Sequence, residues 1–214
     1  MIDPATINLP NFIANWYGNP DSPREPLPEQ HAWIPAPLRA WHEISRQWST
    51  PLVTLKKMIS PEEIEARDGK AIFMIDPGDS AWAFDMNDPN IVYEGQLYEG
   101  WVASSESMTE FLKHNLLNEA AFNAPATRFS EAVNFEALER TLEPMTEVSF
   151  GGWLWPQPGH RIYMNSVMVA DVGPSIEESE PFGNREGFAS VQIGSISPKN
   201  LEYLDAIHQV EWFV

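Results

Sequence analysis

Two short apolar runs, Ala71–Ile75 and Ala81–Phe84, are joined by Asp76-Pro77-Gly78-Asp79, and this pairing constrains the fold more than any other segment. Proline presets the φ of a turn, glycine accepts dihedrals that other residues avoid, and aspartate hydrogen-bonds its own backbone. Apolar runs on both sides of such a tetrad read as a β-hairpin. The pattern then repeats: Asp88-Pro89-Asn90 makes a second turn, and Ile91–Tyr93 and Gln96–Val102 supply further short strands.

Helical signals flank these strands. Pro37 suits a helix N1 position, and Leu38, Trp41, Ile44 and Trp48 recur at near-helical spacing, which predicts a helix over Leu38–Trp48. Ser60-Pro61-Glu62-Glu63 is a capping-box sequence and predicts a short helix that Asp68-Gly69 ends. Ser107 and Glu110 fit a second capping box, heading a helix lined by Met108, Phe111, Leu112, Leu116 and Phe122 and stopped by Pro125. Another helix is expected over Asn134–Leu142. Val148–Trp155 and Arg161–Ala170 read as strands joined by Pro156-Gln157-Pro158-Gly159, with Gly151-Gly152 as a kink or bulge. Asp171–Gly187 reads as a polar acidic loop and Phe188–Ile196 as a strand. A helix then starts at Ser197-Pro198 and runs through Leu201, Leu204 and Ile207, and Val210–Val214 closes as a strand.

Prolines at positions 4, 10, 20, 23, 26 and 28 break any long helix in the N-terminal segment, leaving room for one helical turn over Asn11–Tyr17. The expected organisation is a proline-rich extended arm over residues 1–32 and a single α+β domain over 33–214. Its sheet of short strands is mainly antiparallel and flanked by helices.

Charge narrows the choice of partner. Thirty-one Asp and Glu against thirteen Lys and Arg give a formal charge of -18. Such a surface repels phosphate backbones and anionic lipid, so neither nucleic acid nor membrane is expected as a partner. It attracts basic proteins and speeds their encounter. The absence of cysteine excludes disulfides, thiolate catalysis and cysteine-based metal sites. Met1-Ile2-Asp3-Pro4 has neither the basic nor the apolar character of a signal peptide, and no apolar run approaches the ~20 residues that cross a bilayer, so a cytoplasmic protein is expected.

Common catalytic patterns are missing. The histidines, His31, His42, His114, His160 and His208, are dispersed without zinc-ligand spacing. There is no Gly-x-Ser-x-Gly elbow, no Walker lysine and no dinucleotide glycine fingerprint. Asp76/Asp79 and Asp85/Asp88 lack the terminal glutamate of a calcium loop, so no metal and no cofactor is expected. A carboxylate-based hydrolase stays open as a third reading, although no spacing selects a catalytic pair.

The acids themselves form the candidate site. Asp76, Asp79, Asp85, Asp88, Glu94, Glu99, Glu106 and Glu110 follow one another with no Lys or Arg between them, and Glu177, Glu178, Glu180 and Glu186 form a second cluster. One reading is a docking face whose carboxylates mimic phosphates and enter a cationic cleft. The other is a solvated face with no partner. The residues proposed to contact a partner are Asp76, Asp79, Asp85, Asp88, Glu94, Glu99, Glu177, Glu178 and Glu180.

Several segments resemble the SUKH superfamily. Ile34-Pro35-Ala36-Pro37-Leu38-Arg39-Ala40-Trp41 is similar to its opening helix, and the hairpin with Phe73 and Trp82 leads through Asp88-Pro89 to Trp101 in the same order. Ala103-Ser104-Ser105 through Met108, Phe111 and Leu112 resembles its serine-then-Phe-Leu helix. Val191-Gln192-Ile193-Gly194-Ser195, Leu201, Leu204 and Trp212 resemble C-terminal ends of actinobacterial members. The resemblance covers residues 33–214. It implies a non-enzymatic α+β domain, and most concretely an immunity protein that neutralises a bacterial toxin, often a nuclease, by direct occlusion. A regulatory scaffold without a toxin partner is the alternative. The chain departs from the family at Met74-Ile75-Asp76-Pro77-Gly78-Asp79, where many members carry an acidic or polar residue and a glycine-rich turn, so no individual binding residue is carried over.

Overall fold

A computed structural model describes residues 1–96, 99–176 and 185–214. The fold is α+β, with two antiparallel sheets, and the chain forms two compact units. One unit is Asn8–Leu116; the other joins Met1–Ile7 to Leu117–Val214. Residues of the expected arm fall in both.

In the unit Asn8–Leu116, helix α1 (Leu9–Tyr17) starts where the Asn8 side chain accepts from the Asn11 N–H at 3.0 Å, with Pro10 in the first turn. It buries Phe12, Ile13 and Trp16. Helix α2 (Ala36–Ser45) buries Leu38, Trp41 and Ile44, as their spacing requires, but stops before Trp48. The Trp48 indole instead donates to the Gly18 carbonyl at 3.0 Å, holding the α1 terminus from outside the helix.

Strands β1 (Lys57–Met58), β2 (Ala66–Arg67), β3 (Lys70–Ile75), β4 (Ser80–Asp85), β5 (Ile91–Gln96) and β6 (Glu99–Ser107) form a sheet in the order β1-β3-β4-β5-β6, with β2 also on β3. The expected helix after Ser60 does not form; residues 61–63 make only a turn. Asp68 and Gly69 both have positive φ, 52° and 76°, and close a tight hairpin between β2 and β3. Two left-handed residues in a row define a hairpin turn, and Asp-Gly is one of its strongest signals, so the dipeptide starts a strand rather than ending a helix.

The 76–79 hairpin forms as expected. Asp76 Oδ1 accepts from the Ser80 N–H at 2.8 Å, and Ile75 pairs with Ala81. All of Ala81, Trp82, Ala83 and Phe84 are buried, so both faces of β4 are covered and the strand is apolar without alternation. Helix α3 (Met108–Asn123) opens on the expected capping box: Ser107 N–H donates to Glu110 Oε2 at 2.9 Å and Glu110 N–H to Ser107 Oγ at 3.4 Å. Its Phe111 ring meets Phe73 edge-on at 5.7 Å, in the core of this unit.

The other unit holds β7 (Ala126–Asn134), α4 (Phe135–Leu142), β8 (Thr146–Glu147), β9 (Arg161–Met164), β10 (Met168–Pro174) and β11 (Phe188–Ser195), in the sheet order β7-β11-β10-β9-β8. Its core includes Val133, Leu138, Val172, Val191, Ile193, Leu201 and Leu204. Asn134 caps α4 through the Ala137 N–H at 2.9 Å. Gly194 of β11 lets the last turns of α3 approach closely, since a Cβ there would lie 2.4 Å from the Ala120 carbonyl oxygen.

Strand β7 was not expected; a register shift between Ala189 and Val191 breaks the alternation that would have revealed it. Arg161–Ala170 is two strands, because Asn165 Oδ1 accepts from the Val167 and Met168 N–H groups, each at 2.8 Å, and turns the chain. Residues 148–155 are not a strand: Phe150 N–H donates back to the Val148 carbonyl at 2.9 Å, and Gly152 has φ +92°. The C-terminal segment makes a 3-10 helix, Pro198–Ala206, and then only an isolated bridge between Phe129 and Phe213.

Candidate functional site

The acidic residues singled out in the sequence do not make one patch. Asp76 and Asp79 lie in the β3–β4 turn, at the Ser80 end of β4. Asp85 and Asp88 lie at the opposite end, where β4 turns into β5. Five strand steps at about 3.4 Å separate the two groups by ~17 Å. Glu94 is half-buried in mid-strand, paired with Trp82 and Val102, and Glu99 begins β6 opposite Gln96. Glu177, Glu178 and Glu180 lie outside the described residues.

Asp76, Asp85 and Asp88 also serve their own turns. Asp85 accepts from the Asn87 N–H at 2.8 Å and the Asp88 N–H at 3.3 Å, and these backbone bonds, helped by the charge of Lys70, hold its carboxyl below the usual range. Asp88 accepts from the Asn90 N–H at 3.3 Å. Asp79 and Asp88 are exposed, and neither has a cation within ion-pair distance among the described residues. Glu106 behaves differently. It is 3% exposed and meets His114 Nδ1 at 2.8 Å, so it belongs to the interior of its unit.

A second polar cluster, in the unit built on β7–β11, was not anticipated. Asp171 was expected in an exposed loop but sits inside β10, paired with Gln192 and 5% exposed. Its Oδ1 lies 2.6 Å from His160 Nδ1, and its Oδ2 accepts from Asn118 Nδ2 at 2.6 Å. A carboxylate that accepts this contact places an imidazole N–H on Nδ1, and in the neutral tautomer so fixed the lone pair is on Nε2. The ring lies over Gly173: a Cβ at that glycine would be 2.3 Å from His160 Cε1.

Asp171, Gly173, Ser190 and Gln192 lie on one face of the β10–β11 ladder, because Asp171 pairs with Gln192 and Gly173 with Ser190. Above that face is a pocket of about 410 Å³, lined by Phe122, Phe129, Trp155, His160, Asp171 and Gln192, among others. A concave apolar pocket with a few convergent polar groups is the usual form of a ligand site. Among the described lining residues Asp171 is the one carboxylate, whereas carboxylate-pair hydrolysis needs two. No group of three His, Asp or Glu among the described residues has metal-site geometry.

The pocket was invisible in the sequence because its members are scattered from Phe122 to Gln192. The available hint was Gly173: a glycine inside a strand often marks the close approach of another group.

The fold thus defines an α+β protein with two separate antiparallel sheets, and no helix among the described residues is long and apolar enough to cross a membrane. The chain matches no family model, no curated protein and no solved structure.

Proposed function

We propose that this protein is a non-catalytic binding module of the SUKH-like immunity type, which neutralises a basic bacterial toxin, of the nuclease class, by occluding its cationic cleft. The supporting observation is the pair of exposed carboxylates on the hairpin turns, Asp79 and Asp88, without ion-pair partners among the described residues, on a chain of charge -18. Carboxylates of this kind accelerate encounter with a basic partner and lose their effect as salt screens them, over about 8 Å at physiological ionic strength. Aromatic anchors at the centre of the contact then supply most of the affinity.

The test mixes the purified protein with basic toxins encoded beside its gene. A stoichiometric complex that blocks toxin activity, with an association rate that falls steeply between low and high salt, is expected. Asp79→Asn and Asp88→Asn each slow association. The reading is lost if no neighbouring gene encodes a toxin and no basic protein binds even at low salt.

A further inference from the structure

The polar lining of the 410 Å³ pocket comes from Gln157, His160, Asp171, Ser190 and Gln192. His160 Nδ1 is committed to Asp171, and Gln192 Nε2 donates to the Ala121 carbonyl at 3.1 Å. What those two residues and Ser190 leave for an occupant is His160 Nε2, the Oε1 of Gln192 and the Oγ of Ser190. No hydrogen bond to any of these three atoms exists among the described residues. Gln192 Oε1 accepts, His160 Nε2 accepts in the neutral tautomer, and the Ser190 hydroxyl and the Gln157 amide each donate or accept. Phe122, Phe129 and Trp155 make up much of the rest of the wall.

An occupant that engages these acceptors donates several hydrogen bonds and tolerates aromatic neighbours. An anion is opposed by the buried Asp171 carboxylate and by a chain charge of -18. A neutral aromatic ring satisfies the walls and leaves acceptors unpaired. An ammonium carries a tightly held hydration shell that an apolar wall does not replace. A guanidinium meets each requirement: it is planar, stacks on aromatic faces, is weakly hydrated, and spreads five donors around its edge. This chain already places such a group on a ring elsewhere, with the Arg185 guanidinium carbon 3.9 Å from the Phe188 centroid.

We propose that this pocket is an arginine-binding site, receiving the guanidinium of an arginine side chain presented by the basic partner. The identity of the donor rests on the proposed function; the site itself rests on the pocket. The guanidinium lies against Trp155 and Phe129 and donates to His160 Nε2 and Gln192 Oε1. Asp171 acts through His160, holding the ring so that its lone pair faces the cavity.

The experiment titrates the full chain with N-acetyl-arginine amide. It follows the indole N–H of Trp155 and the imidazole of His160 by NMR. N-acetyl-citrulline amide, nearly isosteric but uncharged, and N-acetyl-lysine amide, charged but not planar, are the controls. Saturable shifts with the arginine compound are expected, with a Kd on the order of millimolar for so small a ligand and both controls at least about tenfold weaker. Trp155→Leu and Gly173→Ala, the second displacing His160 without touching the aromatic wall, each weaken binding by about tenfold or more. The inference is overturned by equal binding of citrulline or lysine amide, by an arginine response unchanged in both variants, or by no saturable shift at all. A salt-dependent basic partner that binds a protein whose pocket ignores arginine amide removes this inference alone. Arginine amide bound by a chain with no basic partner upholds the site and removes the proposed function.

Discussion

Gly173→Ala is a sharp probe of the His160–Asp171 cluster. The added methyl would lie 2.3 Å from Cε1, 2.5 Å from Nε2 and 2.7 Å from Nδ1 of His160, against an ordinary contact of at least 3.4 Å. The overlap is about 1 Å, too large for small adjustments in a close-packed site. Gly173 lies in a regular antiparallel ladder opposite Ser190, so the backbone itself accepts alanine without strain. The imidazole is what gives way. As it swings off, its 2.6 Å contact with Asp171 breaks, and among the described residues the buried carboxylate keeps Asn118. Overpacking costs about 1–3 kcal/mol, and a hydrogen bond to a charged group about 1.5–3 kcal/mol. Ring displacement relieves the clash while breaking the bond, so the two do not sum, and the expected loss is about 2–4 kcal/mol. In a chain of this size that lowers Tm by about 4–16 °C. Urea unfolding of four proteins decides the matter: the parent, Gly173→Ala, His160→Ala and the double variant. With the imidazole gone the methyl has space, so Gly173→Ala on the His160→Ala background costs less than about 1 kcal/mol. Equal costs on both backgrounds refute the steric reasoning, and so does a neutral single variant.

Gly194→Ala behaves differently, because its methyl would meet the carbonyl oxygens of Ala120 and Ala121 at 2.4 and 2.8 Å. Backbone cannot rotate aside, so the loss exceeds about 3 kcal/mol in urea unfolding, and no side-chain truncation rescues it. His42 is 5% exposed, and burial, reinforced by the nearby Arg46 charge, lowers its pKa from 6.5 to about 4. The unfolded chain therefore takes up a proton that the folded one refuses. Stability present above pH ~6.5 falls as pH drops toward 4, by up to about 3 kcal/mol, and His42→Leu flattens that part of the urea-midpoint profile between pH 4 and 7. Ser107→Ala removes the hydroxyl that donates to Glu110 Oε2 at 2.7 Å and accepts from the Glu110 N–H. It destabilises the protein by about 1 kcal/mol and raises amide exchange in the first turn of α3.

The elements that were legible before the structure share one property: their determinants lie within a few residues of each other. Asp76-Pro77-Gly78-Asp79 closes a hairpin through Asp76 and Ser80, and Ser107 with Glu110 caps α3 through contacts three residues apart. The same locality explains α4, capped by Asn134 onto Ala137. Where two local signals competed, the stronger prevailed: the Asp68-Gly69 turn formed a hairpin, and the weaker capping box at Ser60 yielded only a turn.

Other features depended on partners far along the chain. Strand β7 exists because β11, more than fifty residues later, pairs with it across a bulge that hides its alternation. Run length suggested a single acidic face, yet the chain reverses within it, and strand geometry puts Asp76 and Asp79 at one end of the sheet and Asp85 and Asp88 at the other. Asp171 illustrates the limit most clearly. Its neighbours in sequence suit a polar loop, whereas its neighbours in space are His160 and Asn118, which supply the hydrogen bonds that make a buried carboxylate tolerable. Turns and caps follow from short-range hydrogen bonding that a handful of adjacent residues can complete. Burial of charge does not, because the groups that compensate it are brought together only by the packed fold.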